Sequence, residues 1–194
     1  MKWTTAGVIA AVVPGGVLVA AGAMFAAMYA AAATGIDMLD RWAIRGNAVL
    51  RLVQVFGVHA RPAIARAYVA GVLANEGAYT PRADGTYPLG DVGNRYGPSV
   101  GPGQVLSGLH LARLGYTGDP LALARVGNES QALYYSVRVF REAWDEARQR
   151  YGADADEGQV LSYAITRYNG SGPAADAYAA RALDRIVSLG GFAA

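Results

Sequence analysis

The chain has 194 residues, enough for one domain with its own core and a further segment. Lys and Arg number 17 against 15 Asp and Glu, a net charge of +2, which gives no support for a general nucleic-acid binder with its basic stripe. With no cysteine there is no disulfide framework, thiol nucleophile or Cys metal site. His59 and His110 stand far apart, outside any metal-ligand spacing, and read as ordinary surface or half-buried residues. No cofactor or metal is expected.

Residues 3–36 carry no charge, and a spanning helix needs ~20 mostly apolar residues. Pro14-Gly15-Gly16 interrupts the run and leaves 17–36 as one bilayer-length stretch. Lys2 precedes it, and Asp37 and Asp40 follow. The positive-inside bias therefore puts the N-terminus in the cytoplasm and the remainder outside it. The small residues of "AAAATG" at 30–35 would suit cleavage of a signal peptide, but the run is about twice the ~7–15 residues of a signal core. The sequence thus divides into a hydrophobic anchor or signal segment (1–36), a connecting helix or stalk (37–60) and a domain (61–194). In the second part Trp42, Val49, Val53 and Phe56 recur at helical spacing.

From 62 onward the regular stretches are helical. "PAIARAYVAGVLANE" opens with Pro62 at a favoured first-turn position. "ALYYSVRVFREAWDEARQRYG" places Tyr134, Val137, Phe140, Trp144, Ala147 and Tyr151 at three- and four-residue steps and stops at Gly152. "DEGQVLSYAITRYNG" begins with acids and ends at Asn-Gly, and "PAADAYAARALDRIVSLGG" runs from Pro to Gly-Gly. No run of alternating strands stands out, although 80–94, dense in Gly and Pro, has room for a short hairpin. The expectation is a mostly α protein with one long loop, 77–105, of a length that suggests function.

Glu76 ends a helix beside Gly77. "SVGPGQV" at 99–105 closes the loop, and "RYNGSG" lies at 167–172. In that order these segments resemble the motifs of lysozyme-like lytic transglycosylases, in the soluble-lytic-transglycosylase and goose-lysozyme superfamily: a Glu at a helix end, a Gly-x-x-Gln often preceded by Ser, and a late Tyr-Asn-Gly. "GDVGNRYGPSVGPGQ" is also similar to variants of phage and mobile-element enzymes. The resemblance covers about 62–189. It departs from the family pattern at Gly77, where Ser is usual, and at Pro102-Gly103, where Leu-Met is usual.

The resemblance implies a lysozyme-like helical domain that cuts the β-1,4 bond of peptidoglycan glycan strands. Glu76 would protonate the leaving oxygen and then act as base on the 6-hydroxyl of the muramyl ring, giving a 1,6-anhydro product. It implies that Ser99 sits near Glu76 or the N-acetyl group, that Gln104 binds glycan, and that Tyr168, supported by Asn169, orients the sugar. The apolar "AYVAGVLA" before Glu76 fits a partly buried acid with a raised pKa. Asp91 is the one loop acid that would make this an ordinary hydrolytic lysozyme, although "LGDVGN" reads first as a turn. Tyr79, Tyr87 and Tyr96 are candidate stacking surfaces. A wall-cutting enzyme held at the membrane, acting on the outer side or in a virion or secretion assembly, agrees with residues 1–36. The competing reading is a non-catalytic membrane or virion protein whose domain only binds glycan.

Overall fold

The computed structural model describes residues 39–76 and 81–192, with side chains from Ile44 onward. The expected membrane segment, Trp42 and Tyr79 lie outside the residues or side chains so described. Among the described residues no helix is long and apolar enough to cross a membrane. The architecture is mostly α. Helix α1 is Leu39–Phe56 and α2 is Pro62–Arg66, continued by a π-helical segment Ala67–Leu73 and by α3, Ala74–Glu76. A two-stranded hairpin follows (β1, Ser99–Val100; β2, Val105–Leu106), then a π-helical turn Ser107–Leu111 and a 3₁₀ turn Pro120–Ala124. Helices α4 (Glu129–Tyr151), α5 (Glu157–Asn169) and α6 (Pro173–Ser188) complete the chain.

The helix boundaries follow local chemistry. Pro62 and Pro173 occupy first-turn positions, where the missing N–H costs nothing. Asp156 caps α5 by accepting from the backbone N–H of Gln159. Gly152 ends α4 with φ 88°, a value that favours glycine.

Helix α4 is the axis of the core. Its buried stripe is Leu133, Val137, Phe140, Trp144 and Ala147, one position earlier at its start than the periodicity through Tyr134 suggests. Helix α1 lays Ile44, Ala48, Leu52 and Phe56 on it and so shares the core of the later helices instead of standing apart as a stalk. Phe56 meets Phe140 at 6.1 Å and the edge of Trp144 at 5.7 Å between ring centroids. Each fully buried apolar side chain contributes about 1.5–3 kcal/mol, so this seam is a substantial part of the fold's stability.

The segment that carries Glu76 is wedged against α5 and α6. Gly71 is buried there, and a Cβ on it would lie 3.1 Å from Ile186 Cδ1 and 3.3 Å from Ile165 Cδ1, so glycine permits the close approach. The contact is also pinned by polar groups. Asn75 Nδ2 donates to the Tyr178 carbonyl at 2.8 Å, and Arg185 Nη1 donates to Asn75 Oδ1 at 3.2 Å and to the Ala70 carbonyl at 3.3 Å.

Within the loop, residues 81–105 make regular backbone pairings, and the hairpin lies later than 80–94. Ser99 pairs with Leu106 and Val100 with Val105, closed by the turn at Gly101–Gln104. Gly90 bridges Ser99, with backbone bonds of 3.1 and 2.9 Å in the two directions, and Thr86 bridges Arg125. The loop is thus folded back along the free edge of β1 at Gly90.

Candidate active site

Glu76, Ser99, Gln104, Tyr168 and Asn169 line one cavity of about 280 Å³, together with Gly90, Asp91, Val105, Leu106, His110 and Val139. The five residues singled out in the sequence therefore converge, although 93 positions separate the first from the last. The volume lies just below the usual range of ligand clefts, about 300–1,000 Å³.

Glu76 stands at the helix end, half-buried, with its carboxyl facing the cleft. Burial pushes its pKa from 4.5 up to about 7; the hydrogen bond from Tyr178 opposes the rise, and the charge of Asp91 adds to it. An acid poised there can give a proton and take one back near neutral pH. Tyr178 Oη donates to Glu76 Oε1 at 2.8 Å and lies 3.3 Å from the Val72 carbonyl, on the π-helical segment. Burial and the neighbouring Glu76 charge raise the Tyr178 pKa far above its ordinary value, so it remains a donor.

Tyr178 has no motif around it in "ADAYAARA", where it reads as one more apolar residue of a helix. Only the packing of α6 on residues 67–76 reveals it. Replacing Tyr178 by Phe removes a hydrogen bond to a charged oxygen, worth about 1.5–3 kcal/mol, or about one to two pKa units. The Glu76 midpoint is expected to rise above 7 by about that amount in a carbon-detected NMR titration of the Glu76 carboxyl. An unmoved or lowered midpoint would overturn the assignment.

Ser99 is buried, and its Oγ donates to Asp91 Oδ2 at 2.5 Å. Asp91 sits in the left-handed region at φ 49°, rare for a residue other than glycine, and its carbonyl closes the turn to Asn94 at 2.9 Å. Its carboxylate does not cap that turn; it is turned to the cleft beside Ser99. The site therefore holds two carboxyl groups.

Gln104 also takes a left-handed conformation, φ 49°. Its Nε2 donates to the carbonyls of Pro88 (3.0 Å) and Gly101 (2.8 Å). Both partners are acceptors only, which fixes the amide orientation. Oε1 then lies against Gly90, so close that a Cβ there would be 2.4 Å from it. The amide donors tie the two arms of the loop together, and the oxygen is the atom left for a ligand.

Tyr168 is buried, yet it reaches the cleft wall. Its hydroxyl donates to the Gly103 carbonyl at 2.5 Å, which leaves Ser136 Oγ to donate to Tyr168 (2.6 Å) and Tyr68 Oη to donate to Ser136 (2.5 Å). This buried chain of hydroxyls ends on the turn that carries Gln104. The hydroxyl on Glu76 is Tyr178's, and Tyr168 acts on the turn. Asn169 is exposed at the rim as the last residue of α5, and the positive φ that ends the helix belongs to Gly170, at 122°.

Of the candidate stacking surfaces, Tyr87 is buried with its hydroxyl donating to Glu129 Oε1 at 2.9 Å, so it is not a platform. Tyr96 is exposed with Arg95 over its ring at 4.5 Å. Among the described residues no group of three or more His, Asp or Glu is placed to hold a metal ion. Set against protein-family models, curated proteins and solved structures, the chain matches none.

Proposed function

We propose that the protein is a peptidoglycan lytic transglycosylase of lysozyme-like fold, with Glu76 as its acid and base. The observation that carries this reading is the half-buried carboxyl of Glu76, held at a pKa of about 7 and facing a cleft it shares with Ser99, Gln104 and Tyr168. In the protonated form Glu76 gives its proton to the glycosidic oxygen while the bond to C1 breaks. The substrate's own acetamido oxygen shields the cation that forms. The Glu76 carboxylate, now accepting from Tyr178, takes the proton of the 6-hydroxyl as O6 closes on C1. The proton count balances without water, and the product is a 1,6-anhydro ring.

A second reading has its own observation. Asp91 lies in the same cleft and its charge acts on Glu76. Such a pair is the arrangement a hydrolase needs, with Glu76 as acid and Asp91 directing a water to the anomeric carbon. The hydrogen bond from Ser99 would hold Asp91 for that purpose. The membrane or virion setting expected from residues 1–36 would put either enzyme on the wall side of the cytoplasmic membrane, and a glycan-binding protein without activity is the remaining alternative.

Mass spectrometry of purified peptidoglycan digested by the full chain in detergent, beside its Glu76→Gln variant, tests these readings. Anhydro-muropeptides from the native chain alone are the expected result. Reducing ends would make it a hydrolase and bring Asp91 into the reaction. No products from folded protein would leave the glycan-binding reading.

A further inference from the structure

His110 lines the cleft and takes no part in the chemistry above. It sits on the π-helical turn after β2, with its Nδ1 3.2 Å from Arg113 Nη2. A guanidinium only donates, so Nδ1 is the acceptor, and the neutral ring carries its proton on Nε2. Among the described residues nothing accepts from that Nε2–H.

The surroundings hold the ring neutral. Burial lowers its pKa, the charges of Arg113 and, more weakly, Arg167 act in the same direction, and Glu142 opposes them. Arg113 is itself clamped by both carboxyl oxygens of Glu142, at 2.5 and 2.6 Å, and Arg167 Nε by those of Glu146, at 2.9 and 3.2 Å. Both cations near the imidazole are thus already paired with carboxylates. What His110 can offer the cleft is an uncharged N–H with a fixed tautomer.

An uncharged donor whose neighbouring cations are occupied suits a neutral acceptor better than a carboxylate, which would draw on a guanidinium. In a strand of N-acetylated sugars the neutral acceptor present on every ring is the acetamido carbonyl. We propose that His110 is a substrate-binding residue that donates from Nε2–H to the acetamido oxygen of an N-acetylated sugar. Arg113 serves as a positioning residue that sets the tautomer. This rests on the glycan-cleaving reading and adds to it a residue that selects for N-acetylation.

The test uses the full chain carrying Glu76→Gln, in detergent, titrated calorimetrically with the tetramer of N-acetylglucosamine. His110→Ala in that background is expected to weaken binding about 3–10-fold, the value of one net hydrogen bond. His110→Gln, which keeps an N–H near the Nε2 position, should recover most of the loss, and the melting temperatures should stay together. Long-range proton–nitrogen spectra of the parent should show an Nε2-protonated ring at pH 7 whose Nε2 resonance moves when the tetramer is added. A parent that binds with unchanged affinity after His110→Ala, an equal loss in both variants, or a ring protonated at Nδ1 overturns the inference and leaves the enzymatic reading intact. A parent that does not bind the tetramer at all overturns the glycan reading and the inference with it.

Discussion

Glu76→Gln is expected to lower glycan cleavage by about 10²–10⁴-fold, the usual worth of a positioned general acid or base, and to stabilise the fold in alkaline solution. The second effect is independent of any substrate. The folded pKa of Glu76 is raised from 4.5 to about 7, so the folded state holds its proton more tightly than the unfolded chain does. Below about pH 4.5 both states are protonated and the group costs nothing. Between 4.5 and 7 the unfolded chain ionises first, and stability falls as pH rises. Above 7 the whole difference has been lost, up to about 3 kcal/mol from a rise of that size.

Glutamine cannot ionise and keeps an oxygen for Tyr178, so it removes this penalty. Urea unfolding at pH 4 and pH 8 should therefore show no difference between the two proteins at the lower pH and a more stable variant at the higher one. Equal stability at both would mean that the carboxyl is solvated and that the site lacks the poised acid on which the proposed function depends. Lost activity with gained stability is the signature of a residue kept for chemistry at the fold's expense.

The sequence made legible those parts of the site whose residues carry their own punctuation. Glu76 at a helix end, Ser99 and Gln104 around a Gly-Pro-Gly turn, and Tyr168-Asn169 before a glycine are visible because each breaks a regular pattern. Their convergence follows from residues 62–76 packing on α5 and α6, with Tyr68 reaching Ser136 and Phe140 on α4, and from β2 and α5 packing on α4. Tyr178 and His110 break no pattern, since each sits in a helical turn where an aromatic or polar residue is ordinary. Their surroundings come from distant segments: the Glu76 carboxyl meets Tyr178 across 102 positions, and Glu142 on α4 clamps Arg113, the neighbour of His110 three residues on. Asp91 was readable as turn chemistry because its backbone does make a turn, whereas the direction of its carboxylate depends on the bridge between Gly90 and Ser99, a long-range pairing that local propensity does not encode. The stripe of α4 starts at Leu133 and not at Tyr134 for a related reason. Apolar residues adjoin on both sides of that turn, and only the neighbouring helices decide which is buried.

The largest structural effect is expected at Gly103. Glycine at this position has a physical cause in this chain. A Cβ on Gly103 would fall 2.0 Å from Ser136 Oγ, 2.5 Å from Ser136 Cβ and 3.1 Å from the Tyr168 hydroxyl. Ser136 is fully buried on α4 and cannot swing aside without breaking its bonds to Tyr68 and Tyr168. Gly103→Ala should therefore cost about 1–3 kcal/mol by overpacking, read as a lower urea midpoint, and should move the turn that carries Gln104. Ser136→Gly clears the space but deprives two buried hydroxyls of their bridge, at about 1–3 kcal/mol each way the bonds are lost. Because the two changes act on one contact, the double variant should be more stable than the sum of the single losses predicts, by 1 kcal/mol or more. Strict additivity would mean that the turn relaxes freely away from α4, and that the hydroxyl chain from Tyr68 through Ser136 and Tyr168 does not hold it. If the coupling is found, the glycine is explained by the serine facing it, and the position of Gln104 in the cleft is set from the core outward.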